Sequence, residues 1–176
     1  MSELGPTNTF VRDYTSSKKL TVESFDEKRE WGGYYILALG PNYDVKILWV
    51  RPRQLLSLQS HGDAVSPGHH EVWMALTNVR VIRGQTVDAL TIIDRTPGGI
   101  VTIAGGFMHS LANPFKEDHV YVYEVRVSSA METSKEREDR IKRIYDKYER
   151  GATPPYPEKL LHDIMERPFD PRVNDS

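Results

Sequence analysis

Residues 56–73 read LSLQSHGDAVSPGHHEVW. The run opens with alternating leucines, which suits a strand whose side chains point in turn to opposite faces, breaks at Gly62 and Pro67-Gly68, and resumes as Glu-Val-Trp. Half of the six histidines fall inside it, at His61, His69 and His70. On a strand running through His61, Gln59 and His61 share a face. Glu71 starts the next strand, and a hairpin would bring it alongside them. There His69 faces the same side as Glu71 and His70 the other, so His69 is a reserve ligand and His70 an exposed residue. Further on, residues 101–114, VTIAGGFMHSLANP, give a strand, a Gly-Gly turn, His109 and Asn113. His109 therefore returns on a strand able to pair near the first.

Two imidazoles, a carboxylate and a carboxamide oxygen converging inside a barrel would surround a divalent metal. Gln59, His61, Glu71 and His109 are the expected ligands. Their borderline nitrogen and oxygen donors suit zinc first, or manganese, iron, cobalt or nickel, better than magnesium or calcium. The chain has no cysteine, which excludes disulfides, thiolate zinc sites and cysteine nucleophiles.

The surrounding sequence supports a barrel. Between residues 34 and 127, YYILAL, DVKILWV, LLSLQ, EVWMALTNVRVI, DALTII, IVTIA and VYVYEVRV are rich in β-branched, leucine and aromatic residues, and GPNYD, SPG, RGQ, RTPGG and NPFKED separate them. Many short strands without an intervening helical pattern predict an all-β sandwich or barrel. Residues 1–28 read as a loosely held polar lead-in, 29–128 as the barrel, and 129–176 as a helix and proline-rich tail packed on the barrel or on a partner. Within 130–150, Ile141, Ile144, Tyr145 and Tyr148 recur at helical spacing. Thr133 or Ser134, with Glu136 or Arg137 behind, would cap that helix and Gly151 end it. EKLLHDIME, at 158–166, predicts a second, short helix.

At 176 residues the chain suffices for one domain. A net charge of -2 gives no electrostatic case for nucleic acid or an acidic membrane surface. No stretch approaches the roughly 18–20 apolar residues of a membrane span. The expected partners are small molecules or other proteins, and the expected location is the cytoplasm.

WVRPRQLLSLQSH, EVW and VTIAGGFMHSLANP together resemble the cupin motifs of type II phosphomannose isomerases, the C-terminal part of bifunctional mannose-1-phosphate guanylyltransferases. Arg51, Pro52, Leu56, Ser57, Leu58, Gln59, His61, Glu71 and Trp73 match the first motif, and Ile103, Gly106, His109 and Asn113 the second. Upstream, REWGGYYIL matches at Arg29, Trp31, Gly32 and Tyr34; downstream, EDRIKRIYDKYER matches at Glu138, Asp139, Ile141, Arg143, Asp146, Tyr148 and Arg150. The likeness runs from Arg29 to Arg150, with its motifs in order.

The resemblance implies a cupin jelly-roll barrel, a metal held by the same four ligands, and a homodimer. Four departures stand out: Arg53 follows Pro52 where the family has glycine, Ala104 replaces a proline, Glu149 replaces a glycine, and Leu55 stands where a basic residue is expected. The spacer from His61 to Glu71 is also longer. No glycine-rich nucleotidyltransferase stretch is present, so guanylyl transfer is not expected.

The activity implied is interconversion of an aldose phosphate and a ketose phosphate, with mannose 6-phosphate and fructose 6-phosphate the leading pair. The metal would act as Lewis acid, and a base must move the proton between C1 and C2. Glu124 and Lys46 are barrel-facing candidates for that base, although charged strand residues ordinarily face water. Arg51, Arg53, Arg143 and Arg150 are candidates for the phosphate because guanidinium matches its geometry. Arg143 and Arg150 also match family positions. Trp49, Trp73, Tyr121 and Tyr123 read as core, with Trp73 facing inward beside Glu71. Two other functions remain open: a non-catalytic metal-containing cupin that binds a sugar or sugar phosphate, and a cupin of other chemistry such as an epimerase or dioxygenase. The glutamine ligand argues mildly against an oxygenase.

Overall fold

The computed structural model describes residues 6–61, 69–128, 131, 136 and 141–172. Among these, the strands are β1 (Ser24–Arg29), β2 (Gly32–Gly40), β3 (Tyr43–Val50), β4 (Leu58–His61), β5 (His69–Ala75), β6 (Val79–Gly84), β7 (Thr91–Arg95), β8 (Ile100–Ile103), β9 (Met108–Ala112), β10 (Val120–Ser128) and β11 (Ile141–Tyr145). They form two antiparallel sheets, ordered β1-β2-β3-β10-β5-β8 and β11-β4-β9-β6-β7. This is the all-β cupin jelly roll expected from the sequence. Two helices whose full length is described flank it, α1 (Thr9–Lys18) and α2 (Glu158–Glu166). No helix among the described residues is long and apolar enough to cross a membrane.

Register divides the barrel interior into an apolar and a charged half. On the six-stranded sheet, Leu48, Val122 and Ala75 lie side by side; the next inward row is Lys46, Glu124 and Trp73, and the next is Asp44, Arg126 and Glu71. The apolar half continues through Val50, Val79, Val81, Val101 and Val120 into one buried core. Each such side chain contributes about 1.5–3 kcal/mol relative to exposure. The same core leaves the charged half free to serve chemistry.

Each sheet carries a helix on its outer face. Phe10, Val11 and Tyr14 of α1 pack with Tyr35, Ile47, Trp49 and Tyr121, which places Trp49 and Tyr121 in a core rather than at a sugar platform. Asn8 caps α1 by accepting from Val11 N, and Glu27 of β1 accepts from Thr7 N and Asn8 N. The lead-in is thus built into the fold: its polar composition hid three apolar residues on one helical face. Behind the other sheet, Ile164 and Met165 of α2 and Tyr156 pack on Leu55, Leu58, Ile82 and Ala112. Fully buried Arg80 bonds both oxygens of Asp94 at 2.7 Å and donates to Ile164 O, Arg167 O and Pro168 O, satisfying carbonyls at the end of α2. The described part of the tail from Tyr156 to Pro168 therefore packs on the barrel.

The helix expected over 130–150 is corrected across its second half. Ile141–Tyr145 is the edge strand β11, paired with β4. A register shift between Arg143 and Tyr145 explains the misreading. Ile141 and Arg143 face the barrel cavity, whereas Ile144 and Tyr145 pack in the outer core with α2. One bulge in a strand reproduces the three- and four-residue spacing of a helix. Gly151 lies in a short 3-10 turn with φ 65. Thr133, Ser134 and Arg137 lie outside the described residues.

EVWMALTNVRVI also differs from its single-strand reading. It breaks at Thr77-Asn78 into β5 and β6, which belong to different sheets.

Candidate metal centre and its cavity

The opening stretch spans the barrel instead of forming a hairpin. β4 belongs to the five-stranded sheet and β5 to the six-stranded one, so Glu71 reaches His61 from across the interior. β9 does pair with β4, with Gln59 opposite His109. Alternation along β5 is as the sequence predicts: His69, Glu71, Trp73 and Ala75 are buried, and His70 and Val72 are exposed. Residues 62–68, most of the longer spacer between His61 and Glu71, lie outside the described residues.

His61, Glu71 and His109 converge, each about 2–3% exposed, with one ligand atom from each within 4.8 Å of the others. His61 Nε2 is 3.1 Å from Glu71 Oε1, and His109 Nε2 is 3.5 Å from Glu71 Oε2. Trp73 Nε1 donates to Glu71 Oε2 at 2.9 Å, which fixes the carboxylate. Gly106, at φ 83, donates its N–H to His61 O at 3.1 Å and ties the β8–β9 turn to the ligand strand.

The chemistry of these atoms fits a cation. His109 Nδ1 lies 3.1 Å from Phe107 O. A carbonyl only accepts, so Nδ1 carries the proton and Nε2 of the neutral ring is a lone pair. That nitrogen is buried without a hydrogen-bond partner, and a carboxylate oxygen faces it. Two buried acceptors confronting each other call for a positive charge between them. Burial lowers the His109 pKa, with Glu71 opposing and His61 adding to the shift, which keeps the ring neutral and ready to coordinate. Burial pushes Glu71 upward, but His109 and His61 outweigh it and hold the carboxyl well below its usual range.

Gln59 borders the same cavity as Glu71 and His109, and its Oε1 accepts from Ser57 Oγ at 2.9 Å. His69 is buried with its ring 5.4 Å from that of His61, but it is not among the three converging ligands. Asn113 has a structural role: Nδ2 donates to Val50 O and Asp118 O, and Oδ1 accepts from Phe115 N.

The ligands open onto a cavity of about 340 Å³. Trp31, Tyr34 and Trp73 supply aromatic wall, and Lys46 and Glu124 line it as a pair 3.0 Å apart. The expectation that these two face water is corrected, because their inward strand positions are closed in by the opposing sheet. Burial raises the Glu124 pKa to about 7, with Lys46 opposing and Glu71 adding to it.

Arg143 and Arg150 line the cavity as well. Arg51 does not. Its guanidinium donates to Arg29 O, Glu30 O and Glu27 O and stacks over Trp49, so it secures the β1–β2 turn. Arg53 is likewise structural, donating to Pro114 O and Met165 O. Arg29, matched to the family only as part of its first strand, does reach the cavity. Its position on the inward face beside Tyr34, whose ring it covers at 5.5 Å, is the signal that could have identified it.

The barrel is similar to several solved structures at low identity. Vicilin from hazelnut (Corylus avellana) matches at 14% identity and TM-score 0.51, over 63% of this chain and 33% of that one. BH2720 from Bacillus halodurans matches at 16% and 0.50, over 72% and 84%. Vicilin from tomato (Solanum lycopersicum) matches at 15% and 0.50, over 87% and 46%. The chain thus spans about a third of the hazelnut protein, and likeness at such identity is one of fold alone. No curated protein sequence matches. The family described as mannose-6-phosphate isomerase C-terminal matches residues 16–146, a span that contains every cavity-lining residue named above except Arg150. By that match the chain belongs to the mannose-6-phosphate isomerase C-terminal family.

Proposed function

We propose that this protein is a metal-dependent aldose–ketose isomerase of a sugar phosphate, with mannose 6-phosphate and fructose 6-phosphate as the leading pair. The observation that carries the reading is the joint lining of one cavity by metal-ligating side chains and a buried, ionisable Lys46–Glu124 pair. A metal held by His61, Glu71 and His109, with Gln59 beside them, would polarise the sugar carbonyl. Zinc suits these donors best.

The chain's own groups handle the proton. Glu124 is a carboxylate brought to about 7 by burial, so it can take a proton from one carbon and return it to the neighbouring one near neutral pH. Lys46 is a cation 3.0 Å from it, positioned to steady the anionic form and a developing enediolate. Trp31, Tyr34 and Trp73 exclude water and offer apolar surface to a sugar ring.

The test is a coupled assay on protein stripped of metal and reloaded with zinc, manganese or cobalt, offered mannose 6-phosphate and fructose 6-phosphate. Interconversion with at least one metal is expected. Binding of the sugar phosphate without turnover under any metal would replace this reading with a non-catalytic one.

A further inference from the structure

We infer that Gln59 stays outside the metal's coordination shell and, oriented by Ser57, presents its carboxamide N–H groups to a substrate oxygen. The substrate half of this inference rests on the sugar-phosphate reading above; the metal half does not. The family resemblance makes Gln59 a ligand through its oxygen, but the local hydrogen bonding turns that oxygen elsewhere. Ser57, Gln59 and His61 are alternate residues on one extended run and share its inward face. Ser57 and Gln59 both line the cavity. His61 is the next inward residue beyond Gln59, and His109 lies opposite Gln59 on β9. The metal position is therefore on the His61 side of Gln59. Its oxygen is held from the other side, where Oε1 accepts from Ser57 Oγ at 2.9 Å.

The Ser57 hydroxyl sets which end of the carboxamide is which. Ser57 is 2% exposed, and among the described residues Gln59 is its one side-chain hydrogen-bond partner. With Oε1 toward it, the hydroxyl proton has an acceptor. Turned end for end, Nε2 would donate to Ser57 Oγ, and the hydroxyl proton would meet no acceptor among the described residues. A buried donor left unmade costs more than an ordinary hydrogen bond contributes, so the first orientation is favoured. An atom that awaits a cation looks different in this site. His109 Nε2 is buried with no hydrogen-bond partner, whereas Gln59 Oε1 is already engaged by Ser57.

Nε2 is the end that remains, with two N–H donors and no acceptor among the described residues, on a cavity-lining side chain beside His109. The positive end of an amide dipole is repelled by a cation and attracted by an oxygen. Gln59 so oriented does not coordinate; it binds what comes to the metal. His61, Glu71 and His109 already supply three ligand atoms, the number that leaves a catalytic zinc open to substrate. A sugar in its open-chain form brings a carbonyl and an adjacent hydroxyl to that end of the cavity. Gln59 is placed to recognise one of these two oxygens, while Lys46 and Glu124 serve the carbons. It thereby favours ligands that carry oxygen on both neighbouring carbons, and Ser57, which acts through it, is a positioning residue.

The experiment separates metal from substrate. Cobalt(II) is added without sugar to metal-stripped full-length wild type, Gln59→Leu and Gln59→Ala, with affinity read by chelator competition and coordination by the visible spectrum. Both variants should hold cobalt within about twofold of wild type and keep its bands. Weakening by about tenfold or more, or a changed spectrum, would make Gln59 a ligand and overturn the assignment. Calorimetry with mannose 6-phosphate on zinc-loaded protein then reads the donor. Gln59→Leu and Ser57→Ala should each bind the sugar phosphate about 3- to 10-fold more weakly than wild type. The double variant Gln59→Leu/Ser57→Ala should bind no more weakly than Gln59→Leu, because Ser57 acts through Gln59. Additive losses would remove Ser57 from that role. Sugar phosphate bound equally by wild type and Gln59→Leu sinks the donor role alone. No binding by wild type sinks the sugar-phosphate reading and the substrate half of the inference with it, while the cobalt comparison still decides the metal half.

Discussion

Lys46 Nζ and Glu124 Oε1 lie 3.0 Å apart on adjacent strands inside the barrel, one row away from Glu71. Neighbouring carboxylates and burial both disfavour ionising Glu124, and Lys46 only partly offsets them, which brings its pKa to about 7. Glu124 acts as a base only when ionised. Isomerase kcat/KM should therefore rise with pH through about 7 and level off above it. Glu124→Gln should lose that limb and about 10²- to 10⁴-fold in rate. An unchanged limb in Glu124→Gln would assign the titration to another group.

Metal affinity should depend on Trp73 although it is not a ligand. Its indole N–H holds Glu71 Oε2 at 2.9 Å. Trp73→Phe keeps the packing but frees the carboxylate, so competition against a chelator should read roughly tenfold weaker metal binding. His61→Ala and His109→Ala should leave no metal after the same treatment. Full metal content in both would remove the centre.

The faces of these side chains were legible because period two carries them: Gln59 and His61 on one strand, and His69, Glu71 and Trp73 on another, each on the face the alternation assigns. What alternation does not reveal is which sheet a strand joins. Glu71 therefore reads as a hairpin neighbour of His61 and is found facing it across the barrel. Glu124 and Lys46 were assigned the correct inward face but the wrong solvent exposure, since enclosure comes from the opposite sheet. β11 was missed because a bulge at Arg143–Tyr145 imitates helical spacing.

Two departures from the family's glycines share one backbone cause. Arg53 and Glu149 both have left-handed φ, 60 and 52. Glu149 is exposed at its turn, so Glu149→Gly should stabilise by about 0.5–1 kcal/mol, the left-handed strain less the added unfolded-state entropy. Arg53→Gly gains the same relief but loses donors to Pro114 O and Met165 O and its pair with Glu166. It should be destabilising by about 1 kcal/mol. Urea denaturation of the two variants distinguishes them by sign.

The Arg80–Asp94 pair should support the metal centre from the outer face of its sheet. Arg80 ties Asp94 to the end of α2, and α2 packs on Leu58 and Ala112, residues of the same strands that present Gln59, His61 and His109. Breaking one side leaves the other charge buried, so Arg80→Met or Asp94→Asn should cost about 3–5 kcal/mol in urea unfolding. Either variant should also bind metal more weakly than wild type, because β4 and β9 lose the helix that holds them in place. The double variant Arg80→Met/Asp94→Leu removes both charges and should recover much of the stability. If it recovers stability but not metal affinity, the carbonyls at the end of α2 need the guanidinium itself to dock the helix. If metal affinity never changes, the centre is held by the barrel alone and α2 serves only stability.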